Sequence, residues 1–419
     1  MEASGALRLP QFTPEKLATD DGGDDRPIAP GKAKSSAPLG HELSGSLFLR
    51  EPLSKDGFPT CRESSMKKHS RTPTENVNQI RKPFMSRRKR FLLALSATLI
   101  ALVVYFVYQG WAMTRMPGTS FRGQLPPADD SLKQLANELR KDVEKLALEI
   151  GERNVSKHPQ ELDRAADWIQ SEFISAGLTF GKQIYMADGR AYRNLDVEIP
   201  GKSKPFEIVV VGAHYDSAVG TPGANDNASG IAAVLALLRR FADRWLGRTL
   251  RFVAFTNEEP PYFQTEKMGS AVYARRCRER NEKIVAMLSL ETIGYFDDAA
   301  GSQHYPAPFG MLYPSEGNFI GFVGIQDSAA LVRRAVETFR REEKFPSEGA
   351  ALPDFVSGVG YSDHWSFNQQ GYPAVMVTDT AMFRYPHYHE PTDTPDKIDF
   401  DRMARVVRGL EKVIEELGK

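Results

Sequence analysis

From Phe91 to Trp111 the chain reads FLLALSATLIALVVYFVYQGW, and no charged side chain occurs between Arg90 and Arg115. A bilayer span needs about 20 apolar residues, so this run is long enough to cross a membrane. Arg81, Lys82, Arg87, Arg88, Lys89 and Arg90 crowd its N-terminal side. The positive-inside rule keeps that side in the cytoplasm and exports the C-terminal bulk, to a periplasm or to an extracellular or lumenal space. Tyr105, Tyr108 and Trp111 fit an interfacial aromatic belt on the far side. A cleaved signal peptide has a shorter apolar core, roughly 7–15 residues, and a small-x-small cleavage site. Gly110-Trp111-Ala112-Met113 is a poor match to such a site. The expectation is therefore an uncleaved single-pass anchor over 91–111.

The anchor divides the chain in two. Residues 1–90 are rich in Pro, Ser, Gly, Lys and Asp and carry no sustained helical or strand period. Such a stretch buries too little apolar surface to offset its ordering entropy, so a disordered cytoplasmic tail is expected. Residues 125–419 read as one globular domain. Lys+Arg and Asp+Glu balance at 54 each, which gives no global pull toward nucleic acid, and none is expected as a partner. The two cysteines, Cys61 and Cys277, lie on opposite sides of the anchor. Neither a disulfide scaffold nor a cysteine zinc site follows from them.

The domain opens with two helical patterns. Leu132, Leu135, Leu139, Val143 and Leu146 share one face, and Pro159 begins a second helix that Gly177 stops. Apolar runs then alternate with helices. The runs are Ile208–Val211, Leu250–Phe255, Val285–Leu290 and Ala374–Val377; the helices are expected near 228–242, 326–343 and 402–417. Continuous β-branched runs imply strands covered on both faces. The fold class is α/β, a three-layer sandwich around a mixed, mostly parallel sheet.

Three of these runs end in residues that a core does not choose: His214-Tyr-Asp216, Thr256-Asn-Glu258-Glu259 and Glu291. Sites in open α/β sheets form beyond the carboxyl ends of strands, and His with Glu is the composition of a metal site. Residues i and i+2 of a strand share a face, so Asp216 can accept the ring N–H of His214 and fix its tautomer. Asp226 lies at a helix start, where it can be an ordinary N-cap or a metal-bridging carboxylate. Glu258-Glu259 is the most specific local signal. Two acids at the end of a buried strand repel each other unless a cation lies between them. Pro260 forces Glu259 into an extended conformation, which can aim both carboxylates into one cleft. His387 and His389 sit in a Pro-rich loop, where a histidine is ordinarily just exposed.

Taken together these elements resemble the zinc aminopeptidase family of the bacterial leucyl aminopeptidase and aminopeptidase Y type, metallopeptidase family 28. The matching stretches are AHYDS at 213–217, GANDNASG at 223–230, NEEPP at 257–261 with MGS at 268–270, LETIGYF at 290–296, YSDHWSF at 361–367 and YHEPTDTPDKID at 388–399. The resemblance implies one zinc ion on His214, Asp226 and Glu291 and a second on Asp226, Glu259 and His389, with Asp226 bridging. It implies Glu258 as general base, Asp216 as the residue orienting His214, and Tyr388 as a stabiliser of the tetrahedral intermediate. Many members carry Asp where this chain has Glu291. The implied activity is hydrolysis of N-terminal peptide bonds by a hydroxide bridging two zinc ions, on peptides with a free N-terminus. A carboxypeptidase or dipeptidase on the same site, a one-zinc glutaminyl cyclase and a non-catalytic receptor-like ectodomain are the alternatives. Residues 296–318 are placed as a loop that can roof the pocket. Oligomeric state does not follow from the sequence.

Overall fold

The structure is a computed structural model that describes residues 85–419. The expected disordered tail lies outside the described residues up to position 84. Arg87–Arg90, read above as the end of that tail, instead form the first turn of helix α1 (Arg87–Thr114). This helix is long and apolar enough to cross a membrane, and none of its apolar window is buried.

The domain is built on one eight-stranded sheet. In chain order the strands are β1 (Thr179–Ala187), β2 (Arg190–Ile199), β3 (Lys204–His214), β4 (Arg248–Phe255), β5 (Lys283–Glu291), β8 (Ile320–Ile325), β9 (Ser347–Leu352) and β10 (Ala374–Thr378). A separate two-stranded ribbon pairs β6 (Asp297–Ala300) with β7 (Glu316–Gly317) inside the 296–318 stretch read as a loop that can roof the pocket. The spatial order is β1-β2-β4-β3-β5-β10-β8-β9. Strands β4, β3, β5 and β10 are mutually parallel, as are β8 and β9, and the remaining neighbours are antiparallel. The sheet is therefore mixed and mostly parallel, as the apolar runs predict.

Its two faces follow from strand alternation. Val209, Val211, Leu250, Phe252 and Leu288 belong to the larger core. Helices α2 (Asp130–Glu144), α3 (Pro159–Ser175), α4 (Gly230–Phe241), α6 (Ala329–Glu342) and α9 (Phe400–Leu417) cover that face. Val210, Val253, Phe255 and Met287 point the other way, to Tyr273, Ala274 and Cys277 of α5 (Gly269–Glu279) and to Phe367 of α7 (His364–Gln369). This is the expected three-layer sandwich. Local chemistry sets the element ends. Asp129 Oδ1 accepts the Leu132 N–H at 2.8 Å and caps α2. Pro159 occupies the first turn of α3, where its missing N–H costs nothing. Asp188 (φ 47°) and Gly189 (φ 79°) make the two-residue hairpin between β1 and β2, a turn that needs positive φ at both positions.

The folded body starts before residue 125. Met116 is buried, and the Ser347 N–H donates to Ser120 Oγ at 3.0 Å beside the edge strand β9.

Candidate metal centre

The register of the sheet assembles the site. Strand β3 lies between β4 and β5 and runs parallel to both. Its last residue, His214, therefore stands between Glu258–Glu259, which follow β4, and Glu291, which ends β5. The fourth contributor is the turn 223–229 that leads into α4. The fifth is the loop after α8 (Ala381–Arg384), which carries His389.

Two overlapping groups result. His214, Asp226 and Glu291 offer one ligand atom each within 4.8 Å of one another, and so do Asp226, Glu259 and His389. His214 Nε2 lies 3.4 Å from Asp226 Oδ1 and 3.3 Å from Glu291 Oε2. His389 Nε2 lies 3.0 Å from Asp226 Oδ2 and 3.3 Å from Glu259 Oε1. Asp226 thus turns one oxygen to each group. Glu258 Oε2 is 3.8 Å from His214 Nε2 and belongs to neither. His387 stays apart from both groups: its Nδ1 is 2.7 Å from Thr392 Oγ1.

The surrounding structure aims these groups. Arg153 is fully buried and donates to the carbonyls of Tyr215 (2.7 Å), Pro222 (2.6 Å) and Gly223 (2.9 Å), which fixes the segment between Asp216 and Asp226. Gly223 has φ +60°, and a Cβ there would fall 2.3 Å from the Asp226 carbonyl oxygen, so only glycine fits. The Asp226–Asn227 peptide is cis. Asp393 accepts the N–H groups of Asn225 (2.8 Å) and Asp226 (3.1 Å), and Tyr385 donates its hydroxyl to the same carboxylate. Asn227 donates to the Leu290 carbonyl at 2.8 Å and accepts the Thr292 N–H at 3.2 Å, tying the turn to the end of β5. Ser362 donates to Glu291 Oε2 at 2.8 Å. Left-handed backbone occurs at Asn257 (φ 59°), Thr292 (φ 45°) and His389 (φ 59°). Non-glycine residues in that region cost of order 1–3 kcal/mol each and cluster where a side chain must be re-aimed.

Asp216 has a second task beyond the one expected. It lies 3.5 Å from His214 Nδ1, within ion-pair reach, while its two oxygens accept the N–H groups of Glu258 (3.1 Å) and Glu259 (3.0 Å). It therefore holds the paired acids as well as facing the histidine.

The electrostatics are those of crowded carboxylates in a dry place. Burial pushes Glu258 well above the usual carboxylate range, with Glu291 and Glu259 adding to the push. Burial and then Asp226 raise Glu259 to about 7. Burial disfavours charge on His214, but Glu291, Glu258, Asp216 and Asp226 outweigh it and hold the imidazole well above its ordinary range. Burial acts the same way on His389, where Glu259 and Asp226 win and raise it to about 11. Both ring nitrogens of His214 and Oε1 of Glu259 are buried without a hydrogen-bond partner. Buried polar atoms are nearly always paired, so unpaired imidazole nitrogens among carboxylates fit a site for cations. Nitrogen and carboxylate donors without thiolate suit Zn²⁺.

Beside Glu291 a largely apolar pocket opens. Tyr305, Phe309 and Tyr313, from the stretch expected to roof the site, line it together with Tyr388, whose ring stacks on His389 at 4.0 Å.

Arg153, Asn227, Ser362 and Asp393 were not singled out from sequence. Asp393 stood in the matched stretch 388–399, so a signal existed. Arg153 sits in an unremarkable Gly-Glu-Arg-Asn segment and offered none.

Comparisons with known proteins bear on the family and the fold. A family model described as peptidase family M28 matches residues 194–414. The uncharacterized protein YfbL of Escherichia coli (strain K12) is 36% identical over 328 residues, covering 76% of this chain and 95% of that protein. Leucine aminopeptidase 1 of Arthroderma otae is 28% identical over 281 residues, 61% of this chain and 68% of its own length. Among solved structures, the zinc aminopeptidase BSAP of Bacillus subtilis superposes with a TM-score of 0.56 at 15% identity, covering 71% of this chain and 97% of that one. A glutaminyl cyclase of Bacteroides thetaiotaomicron gives 0.52 at 16% identity, over 70% and 99%. At such identities the superpositions speak for the fold alone. The family model, in contrast, spans more than half of the 419 residues, and the chain belongs to peptidase family M28.

Proposed function

We propose that the protein is a two-zinc aminopeptidase, anchored by 91–111 with its N-terminus in the cytoplasm and its peptidase domain exported. The observation that carries the reading is the pair of candidate ligand groups sharing Asp226, with Glu258 outside both and its Oε2 3.8 Å from His214 Nε2. His214, Asp226 and Glu291 would hold one ion, and Asp226, Glu259 and His389 the other. When bound, two zinc ions supply Lewis acidity and a water acidic enough to attack an amide near neutral pH.

The remaining steps belong to the chain. Glu258 takes the proton of the attacking water and returns it to the leaving amine. Its burial and its carboxylate neighbours raise its proton affinity, which suits a group that must both accept and release. Asp216 holds the Glu258 backbone in place through the hydrogen bond at 3.1 Å. Tyr388, whose proton is kept well beyond its usual range by burial and by the carboxylates, stays a hydrogen-bond donor toward a developing oxyanion. Glu259 and its neighbours attract a substrate's free ammonium group, which places the cut one residue from the N-terminus. The apolar pocket beside Glu291 and Tyr388 receives the first side chain, so large apolar N-terminal residues are the favoured substrates.

The full chain, purified in detergent, tests this on aminoacyl-anilides, N-blocked peptides and a peptide with N-terminal glutamine, alongside zinc analysis. Two zinc ions per chain and chelator-sensitive cleavage restricted to free N-termini are expected. Cleavage of blocked peptides from the C-terminus would overturn the aminopeptidase reading. Ring closure of the glutamine peptide without hydrolysis would replace it with a cyclase, and a zinc-free, inert chain would make it a non-catalytic module.

A further inference from the structure

Almost no chain separates the membrane-length helix from the domain. Helix α1 ends at Thr114, and Met116 already lies in the core, where it packs beside Gly349 of β9. The junction is clamped. Arg333 donates to the Ala112 carbonyl, and Arg340 donates to the carbonyls of Pro117 (3.0 Å) and Gly118 (3.3 Å). With Trp111 at the edge of the hydrocarbon, Met113 lies only about 3 Å further along the helix axis. The interfacial layer on each side is roughly 5–7 Å deep, so Met113 lies within it.

Met113 is partly buried there. It packs on the small cluster of Ala350, Leu352 and Val359, as do Phe309, Tyr313 and Val356. Two loop tips project from the chain next to these residues. One carries Met311, 83% exposed, and Leu312; the other carries Phe355, 84% exposed. Isolated apolar residues on a surface are ordinary, but these three border a cluster that also holds the last turn of the anchor.

We propose that Met311, Leu312 and Phe355 insert into the leaflet from which α1 emerges, so that the domain lies flush on the lipid through its β9 edge. The proposal rests on reading α1 as a membrane anchor. Its occupant is the lipid surface, because the absent spacer leaves this edge nowhere else to sit. It bears on the active site as well. The apolar pocket, which Glu291 also lines, runs along β8 and β9 from Gly321 to Leu352. At about 3.3 Å per residue that is roughly 13 Å. Its far wall is the same cluster that meets the anchor, so lipid contact braces the pocket.

The test places an environment-sensitive NBD fluorophore on Phe355→Cys in the full chain, in a Cys61→Ser background. Cys277 is buried and stays unlabelled. Ile184→Cys on β1, the opposite edge of the sheet and 65% exposed, is the control. The protein is reconstituted into vesicles of phosphatidylcholine and phosphatidylglycerol, with and without doxyl-labelled lipid. A blue-shifted emission at position 355, quenched several-fold more by the doxyl lipid than at position 184, is expected. Water-like emission at both positions in protein that floats with the vesicles after an alkaline wash would overturn the docking and leave the anchor standing. Protein stripped off by the wash would overturn the anchor and the docking together. A blue-shifted signal that doxyl lipid leaves unquenched would mean that another protein copy covers this edge, and would overturn the proposal too.

Discussion

The two ligand groups share Asp226 and differ in what holds the rest. His214 and Glu291 end adjacent buried strands, and the Glu291 carboxylate receives the Ser362 hydroxyl at 2.8 Å. Glu259 also follows a strand, but its partner His389 stands on a loop, at φ 59°, with a side chain 37% exposed and a tyrosine stacked on it. A ligand at a strand end inherits the rigidity of the sheet. A ligand on a loop can open locally at far lower cost, as binding elements generally do. On the proposed two-ion reading, one half would keep an ion in place, and the other would adjust around whatever binds beside it.

Removing the shared corner should have the largest effect. In Asp226→Ala, zinc measured by mass spectrometry should fall from two ions per chain to none, and hydrolysis should vanish with it; one retained ion would show that the halves do not share a ligand. Glu258→Gln comes next. It should leave both ions bound and reduce kcat by several orders of magnitude, on the order of 10³-fold, in an anilide assay. Near-normal turnover would remove Glu258 as the base. The comparison itself is tested by His389→Ala, which should lose one ion and keep the other, and by chelator titration of the unaltered chain, which should release zinc in two steps. A single step, or loss of both ions in His389→Ala, would mean that the halves are equally held.

The same contrast explains what could be read from the sequence. Strands β3, β4, β5 and β10 were legible because burial on both faces leaves unbroken apolar runs, and the candidate ligands at the ends of β3, β4 and β5 stood out because polar residues end those runs. Strands β8 (IGFVGI) and β9 (SEGAAL) were missed. Glycines interrupt the apolar run of β8, and β9 carries no β-branched residue, so neither reads as an unbroken buried strand. The β1–β2 hairpin was missed although Asp188-Gly189 between two extended segments is a strong turn signal. His389 could be chosen over His387 only through the family pattern, since nothing in a Pro-rich loop tells which histidine turns inward. Contacts from distant segments, such as Arg153 to the carbonyls of Tyr215, Pro222 and Gly223, depend on tertiary placement and leave no local trace.

The smallest predicted effect concerns Glu291, which is one methylene longer than the Asp common at its position. The longer arm needs something to stop it swinging, and Ser362, itself 2.8 Å from the Ser289 hydroxyl, supplies the donor. Asn227 Nδ2 lies farther from that oxygen, at 3.5 Å, and His214 Nε2, at 3.3 Å, is the fellow candidate ligand. Ser362→Ala should weaken zinc binding on the order of tenfold, the usual cost of losing a partner that orients a ligand, with a smaller change in kcat. Glu291→Asp shortens the arm and draws the carboxylate away from Ser362. In that background Ser362→Ala should cost little, so the two substitutions should couple by about 1 kcal/mol in a double-mutant cycle on zinc affinity. Additive losses would mean that Ser362 supports the fold around Ser289 and not the reach of Glu291, and the rigid half would then owe its order to the strand end alone.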